Sequence, residues 1–159
     1  MTAETLYPGL SIFPASIAHL DDIVQMERES FLTPWDRSAF EHEITALSWS
    51  RTLIAAMDDV PVGYLCFWTV AGEYQILKVA VHPQYRRRHI GAGMITHLIA
   101  LAQKEHIAAI TLELRESNGA AQSLYTACGF ETDGIRKGYY TDTGENAILM
   151  SLSCVPPLQ

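Results

Sequence analysis

Residues 84–94, with the sequence QYRRRHIGAGM, combine a run of three arginines with two glycines at the start of a helical pattern. The N-terminus of a helix presents unpaired backbone N–H groups and the positive end of the helix dipole, and both attract anions. Gly91 and Gly93 permit close approach of a ligand to the backbone, and Arg86–Arg88 add positive charge. The segment therefore predicts a cradle for a phosphate or pyrophosphate, and a solvated loop with a tight helix turn is the alternative. The P-loop and Rossmann glycine motifs are both absent.

The composition limits the kind of protein and of partner. The chain has 159 residues, of which 48% are hydrophobic and 18% charged, and this balance is typical of one globular domain. A formal net charge of −7 argues against nucleic-acid binding, and no apolar run is long enough to cross a bilayer. The N-terminus lacks the basic and apolar regions of a secretory signal. We therefore expect a cytoplasmic protein that binds neither nucleic acid nor membrane.

The cysteines and histidines predict neither a disulfide framework nor a metal site. Cys66, Cys128 and Cys154 are scattered and form no CxxC pair, which is typical of reduced thiols. The histidines include no HxxxH pair suited to a metal ion. We therefore expect a protein that works without a bound metal.

Hydrophobic periodicity and turn residues divide the chain into strands and helices. Asp36 and Asn118 are suited to cap the second and the last predicted helix. The predicted strands cover residues 9–17, 50–57, 64–70, 73–83, 108–115, 130–140 and 145–152, and the predicted helices cover residues 18–31, 33–47, 91–105 and 118–129. The order βααβββαβαββ predicts an α/β sandwich with a mixed sheet.

Four blocks along the chain together resemble one family. The blocks are FLTPWDRSAF at 31–40, VAVHPQYRRRHIG at 79–91, LELRESN with LYTACGF within 112–130, and IRKGYYTDTGENAILM at 135–150. With them, the chain resembles the GNAT superfamily of acyl-CoA-dependent N-acetyltransferases, and within it the RimI-type branch, which modifies the α-amine of a ribosomal protein. The resemblance implies one N-acetyltransferase domain over residues 1–159. Its α/β fold would have a mixed central sheet splayed between the fourth and fifth strands, with helices on both faces.

The resemblance also implies that acetyl-CoA binds as a co-substrate between the fourth and fifth strands. The backbone of Val79, Ala80 and Val81 would hold the acetyl and pantetheine portion, with an N–H group facing the thioester oxygen. Asn118 would contact the pantetheine arm, and this role is compatible with that of a helix cap. The pyrophosphate would lie at the turn formed by Arg86, Arg87, Arg88, His89, Ile90, Gly91 and Ala92.

Two registers of the family's glycine pattern fit this turn. The literal pattern fits residues 88–93, whereas the spacing from HPQY places Arg86 first and Gly91 at the second glycine. We prefer the second register because it keeps the downstream blocks in step. His89 then stands where the first glycine is usual, so the backbone N–H is kept and the conformational freedom of glycine is lost. His89 either contacts a phosphate when protonated or is a passive turn residue.

The resemblance implies that Glu113 is the base and that Tyr125 is the acid facing the CoA sulfur. A free glutamate has a pKa of about 4.3 and an α-amine one of about 7.7–8.0, so direct proton transfer is uphill by roughly 3.5 units. Either burial raises the pKa of Glu113, or the carboxylate works through a water molecule. The structural alternatives are an ion pair of Glu113 with Arg115, on the same face of the strand, and a packing role for Tyr125.

The acceptor side is implied by the same resemblance. Tyr139 and Tyr140 match a tyrosine pair that lines the acceptor site, and Pro34 and Trp35 match the loop between the first two helices. Lys78 stands where this branch has a smaller polar residue. The expected acceptor is the N-terminal α-amine of a protein, in this branch a ribosomal protein.

Two other functions are compatible with the sequence. One is acetylation of a small amine, such as a polyamine or an aminoglycoside, by an open cleft without tyrosines that clamp a peptide. The other is a non-catalytic CoA-binding module, in which the predicted base and acid would both point away from the thioester.

Overall fold

The computed structural model describes residues 7–155, which form a seven-stranded mixed sheet and four α-helices. The strands are β1 (Leu10–Pro14), β2 (Ser50–Met57), β3 (Val60–Val70), β4 (Glu73–Val81), β5 (Ala109–Arg115), β6 (Glu131–Arg136) and β7 (Ala147–Ser153). The helices are α1 (Leu20–Ser30), α2 (Arg37–Thr45), α3 (Ile90–Lys104) and α4 (Gly119–Ala127). The sheet order is β1-β2-β3-β4-β5-β7-β6, with β4 and β5 paired parallel and the other neighbours antiparallel.

Buried side chains cover both faces of the sheet, because successive residues of a strand point to opposite sides. On one face, Ile54 and Phe40 belong to a buried cluster with α1 and α2. On the other face, Leu53 and Leu98 belong to a larger cluster that includes α3 and Tyr125 of α4. This arrangement confirms the predicted α/β fold with helices on both faces. Across residues 7–155, no helix combines the length and the apolar character that a bilayer crossing requires.

The sheet opens between β4 and β5. The parallel pairing joins Tyr74, Gln75 and Ile76 to β5 and ends at Ile76–Leu112, although both strands continue beyond this point. On the other side of β4, the register with β3 shifts at Leu77, which is an extra residue on β4. A bulge of this kind bends and twists its strand. The predicted splay between the fourth and fifth strands is thus confirmed.

The order of elements agrees with the prediction, and some boundaries differ where a local feature ends an element. The helix predicted over 33–47 begins after Asp36, whose side chain accepts a hydrogen bond from the backbone N–H of Ala39 at 2.9 Å. The strand predicted over 130–140 is shorter, because Gly138 has a φ of +62° and its N–H donates to the side chain of Asn146. Each shortened element leaves a loop, and these two loops face the opening in the sheet.

Candidate functional site

A cleft of about 820 Å³ lies where β4 and β5 separate. Its walls come from both strands, the α1–α2 loop, α4 and the β6–β7 loop. The structure brings together many of the residues that the sequence predicts for a site, and those in the cleft wall are Pro34, Trp35, Val79, Glu113, Asn118, Tyr125, Tyr139 and Tyr140. These residues come from five separate segments of the chain, so their convergence depends on the fold.

The backbone of β4 borders the cleft beyond the bulge. Val79, Ala80 and Val81 are paired with β3 on one side, and the described pairing with β5 ends before they are reached. Of the three, Val79 lines the cleft, whereas Ala80 and Val81 lie outside its wall and the Val81 carbonyl oxygen accepts a hydrogen bond from Arg86. Val79 has no strand partner on its β5 side, and unpaired backbone groups are strong hydrogen-bonding sites for an extended ligand.

Glu113 lies on β5 beside residues of β6 and the β6–β7 loop. Its Oε1 is 3.4 Å from Nη1 of Arg136, and its side chain is 22% exposed, so water reaches the carboxylate. A hydrogen bond from the Tyr139 hydroxyl to Glu113 raises the pKa of Tyr139. The alternative ion pair of Glu113 with Arg115 is wrong, because Arg115 Nη2 lies 2.7 Å from Asp142 Oδ2 and the ion pair of Glu113 is with Arg136.

Tyr125 and Asn118 belong to α4 and its N-terminal cap. Tyr125 is 6% exposed, and its ring centroid lies 5.3 Å from that of Phe130. Burial raises the pKa of the Tyr125 hydroxyl, with a further contribution from Cys128, so the hydroxyl keeps its proton near neutral pH. Asn118 caps α4 by accepting a hydrogen bond from the Ala121 N–H at 3.1 Å. Tyr125 and Asn118 both line the cleft.

The α1–α2 loop and the β6–β7 loop are joined across the cleft, a contact that the sequence did not reveal. The Thr33 hydroxyl donates to Asp142 Oδ2 at 2.7 Å, and Arg115 donates to both oxygens of Asp142. These bonds, chiefly those from Arg115, hold the pKa of Asp142 well below its usual range. The Arg115 guanidinium also lies 4.1 Å from the ring centroid of Tyr140, whose ring meets that of Tyr139 edge-on. We refer to Thr33, Asp142 and Arg115 as the loop bridge.

Lys78 occupies a cage on the α1 side of the cleft. Its Nζ lies 3.0 Å from Oε2 of Glu27, 4.1 Å from the Phe31 ring centroid and 5.1 Å from that of Trp35. Glu27 is fully buried, and it also accepts hydrogen bonds from the Trp35 N–H and the Tyr64 hydroxyl. We call Glu27, Phe31 and Trp35 the cation cage. A signal for it exists in the sequence, since Glu27 lies among the apolar positions of α1.

The turn predicted for the pyrophosphate lies at the N-terminus of α3, outside the wall of this cleft. Arg87 and His89 have φ angles of +63° and +62°, in the region that favours glycine. His89 is the residue before the helix, which begins at Ile90, one residue earlier than predicted. A left-handed residue at position 89 is consistent with the register that places the family's first glycine there.

The arginines of the turn differ in their contacts. Arg86 Nε donates to the carbonyl oxygen of Val81 at 3.1 Å, and its Nη2 donates to the Ser30 hydroxyl at 3.0 Å. These bonds tie β4 to α1, so the Arg86 side chain has a structural role in addition to the one predicted for the turn. Arg87 and Arg88 are exposed.

Gly91 and Gly93 are explained by packing within the fold. A Cβ atom at Gly93 would lie 2.6 Å from Cδ2 of Leu10, so this glycine lets α3 approach β1. The expectation that Gly93 makes room for a ligand is therefore wrong. A Cβ atom at Gly91 would lie 3.2 Å from Cδ2 of Leu124, which brings the first turn of α3 close to α4.

A mixed sheet opened between two parallel strands, with an acidic and a phenolic residue lining the opening, is the arrangement that the sequence blocks predict for an acetyltransferase. The model of the acetyltransferase (GNAT) family matches residues 20–130, and the chain belongs to this family. Among residues 7–155, no group of three or more His, Cys, Asp or Glu side chains is placed to hold a metal ion.

Similar proteins narrow the class. A Bacillus subtilis (strain 168) protein, provisionally named a ribosomal protein bS18 alanine N-acetyltransferase, is 34% identical over 131 residues, which are 82% of this chain and 87% of that protein. The crystal structure of the ribosomal-protein-S18-alanine N-acetyltransferase from Escherichia coli matches with a TM-score of 0.85 and 27% identity, covering 94% of this chain and 97% of that one. The Salmonella typhimurium protein yncA, solved with its cofactor acetyl-CoA, shares the fold with a TM-score of 0.77 and 18% identity, covering 95% and 97% of the two chains. These findings confirm the predicted N-acetyltransferase class and the RimI-type resemblance.

Proposed function

We propose that the protein transfers the acetyl group of acetyl-CoA to the N-terminal α-amine of a ribosomal protein. The observation that carries this proposal is the convergence of Glu113, Tyr125 and the Tyr139–Tyr140 pair on one cleft between separated strands. The alternative of a non-catalytic CoA-binding module required the predicted base and acid to point away from the thioester. Their shared position in the cleft wall favours catalysis.

Two parts of the fold are suited to bind different portions of one acetyl-CoA molecule. The cleft-side backbone of Val79, Ala80 and Val81 would hold the acetyl and pantetheine portion, and Asn118 would contact the pantetheine arm. The turn from Arg86 to Ala92 would hold the pyrophosphate, with backbone N–H groups at the start of α3 and with the exposed cations of Arg87 and Arg88. The left-handed conformations within this turn support a concave arrangement of N–H groups.

The proton steps follow from the positions of the two side chains. Glu113, reached by water, would accept the proton of the acceptor ammonium through a water molecule. The neutral amine then attacks the thioester carbonyl carbon, a C–N bond forms, and the C–S bond breaks. Tyr125, which is protonated at neutral pH, would give its proton to the departing thiolate and regain one through water, which takes up the second proton that the nitrogen loses as the amide forms. A backbone N–H of β4 would stabilise the developing charge on the carbonyl oxygen.

The acceptor end of the cleft favours an α-amine over a lysine side chain. At pH 7, an α-amine with a pKa of about 7.7–8.0 is roughly a tenth neutral, whereas a lysine near 10.4 is neutral in fewer than about one molecule per thousand. One modest base acting through water is therefore better matched to the α-amine. Tyr139, Tyr140, Pro34 and Trp35 would hold the first residues of an extended chain, since these residues line the same cleft.

The choice of a ribosomal protein as acceptor rests on similarity and charge. The relatives from Bacillus subtilis and Escherichia coli carry names that specify alanine of a ribosomal protein. A net charge of −7 is compatible with a basic acceptor tail, such as those common in ribosomal proteins. We place this activity in the cytoplasm, in a single domain over residues 1–159, without a metal ion and without a nucleic-acid or membrane partner.

The test uses purified protein, acetyl-CoA and matched peptides that carry a free or blocked N-terminus and an internal lysine. Mass spectrometry should find one acetyl group on the free N-terminus and none on the blocked peptide. Acetyl groups on the internal lysine alone would contradict the proposal. Efficient turnover of a polyamine or aminoglycoside with no peptide activity would favour the small-amine alternative.

A further inference from the structure

Lys78 is placed to influence the acceptor without taking part in proton transfer. It follows the bulge residue Leu77 on β4, and its side chain lines the same cleft as Glu113 and Tyr125. The side chain is 14% exposed, so most of it lies within the wall and only a small part faces the cleft.

The cation cage holds the Lys78 ammonium firmly. Glu27 is fully buried and compensates the charge, while Phe31 and Trp35 present their ring faces at 4.1 and 5.1 Å. An ammonium on an aromatic face is attracted by the ring quadrupole, and a buried ion pair is costly to separate. The aliphatic stem of Lys78 therefore forms a fixed part of the wall between the cleft and the buried carboxylate.

The first side chain of an acceptor must lie close to this wall. Its α-carbon is bonded to the reacting nitrogen, so the side chain stays within the cleft. Glu113, Arg115, Tyr139 and Tyr140 fill the β5 side of the cleft. The α1–α2 loop and Lys78 line another side of the cleft.

We propose that Lys78 is a specificity-determining residue, which fills the cation cage and thereby admits only acceptors with a short, uncharged first side chain. This inference rests on the proposed function. A long apolar first side chain would overlap the stem of Lys78, and a cationic one would meet an ammonium already in the cage. Alanine and serine satisfy both conditions, leucine violates the first, and lysine violates both.

The experiment compares two double variants that both carry Glu27→Gln, so that neither leaves a buried carboxylate unpaired. Lys78→Ser empties the space, and Lys78→Met keeps its volume without the charge. Acetylation is measured on peptides that differ only in the first residue, which is Ala, Ser, Leu or Lys. The measured quantity is the ratio of kcat/KM for the Leu-first peptide to that for the Ala-first peptide. This ratio is independent of the fraction of active enzyme, so partial misfolding of a variant does not affect it.

The Lys78→Ser variant should raise this ratio about tenfold or more, because a change of one methylene in a pocket alters discrimination by about 10–200-fold. The Lys78→Met variant should keep the wild-type ratio. An unchanged ratio in the serine variant, or an equal rise in both variants, would overturn the inference while wild-type acetylation of the Ala-first peptide still supports the proposed function. If the serine variant yields no folded protein, Lys78→Asn with the same Glu27→Gln replacement gives the same comparison. Wild-type protein that acetylates no N-terminus would overturn the proposed function and this inference together.

Discussion

Replacement of Glu113 by Gln tests the proposed base while keeping the shape of the side chain. A general base typically contributes about 10²–10⁴-fold to a rate, so kcat/KM for a peptide with a free N-terminus should fall by that factor at pH 7. The α-amine changes from roughly one-tenth neutral at pH 7 to roughly nine-tenths neutral at pH 9. The loss should therefore shrink about tenfold between these pH values, since a neutral amine needs no base.

The structure limits how much of this loss can come from instability. Glu113 loses its ion pair with Arg136, whose side chain is 56% exposed, and pairs of this kind contribute about 0–1 kcal/mol. A domain with a typical stability of about 5–15 kcal/mol remains folded after such a change. A hundredfold loss of activity would consequently report on chemistry and not on unfolding.

The assay measures kcat/KM from pH 6.5 to 9.5 for the wild type, for Glu113→Gln and for a control, Glu131→Gln. Glu131 is an exposed carboxylate on β6, outside the cleft wall, and its replacement should leave the profile unchanged. Thermal unfolding of all three proteins verifies that they are folded. A loss that is equal at every pH would refute the base role and favour a structural role for the pair with Arg136.

Other substitutions give separate tests. Tyr125→Phe should lower kcat while leaving acetyl-CoA affinity, measured by calorimetry, nearly unchanged, and weakened acetyl-CoA binding would contradict the assignment. Because burial raises the pKa of Tyr125, the wild type should keep this proton at pH 10. Arg87→Glu and Arg88→Glu should each weaken CoA binding with little change in the unfolding temperature, and unchanged affinity in both would defeat the pyrophosphate assignment. Gly93→Ala should destabilise the fold by up to about 2 kcal/mol, because overpacking against the buried Leu10 costs about 1–3 kcal/mol and the higher helix propensity of alanine offsets about 1 kcal/mol of it. Gly119→Ala, whose Cβ would meet nothing within 4 Å, serves as its control in denaturant titrations.

The sequence predicts the parts of the fold that depend on local pattern. Asn118 and Asp36 cap the helices that they are expected to cap, because a side-chain oxygen can bond an N–H group only two or three residues away. The splay of β4 from β5 came from the family resemblance, since no periodicity in either strand marks where pairing stops.

Contacts between distant segments could not be predicted in the same way. The partner of Glu113 is on β6, and β7 lies between β5 and β6, so this ion pair depends on the order of strands in the sheet. Spacing along the chain suggested Arg115 as the partner of Glu113, but the Arg115 guanidinium is bound to Asp142 in the loop bridge. Gly93 shows a further limit of prediction from sequence, because the sequence does not distinguish a glycine that serves helix packing from one that makes room for a phosphate.

The loop bridge has a consequence for attempts to transplant acceptor preference between enzymes of this family. Thr33 and Asp142 are separated by 109 positions in the chain and belong to different loops. The Asp142 carboxylate accepts hydrogen bonds from Thr33 and from Arg115, and Arg115 belongs to β5. Exchange of the α1–α2 loop alone would remove the Thr33 hydrogen bond to Asp142, whereas exchange of the β6–β7 loop alone would take Asp142 away from both Thr33 and Arg115. The effects of the two exchanges would therefore not add. Under the proposed acceptor role of these loops, acceptor preference would depend on two loops and one strand together, so a graft that moves both loops has the better prospect of producing a working chimera.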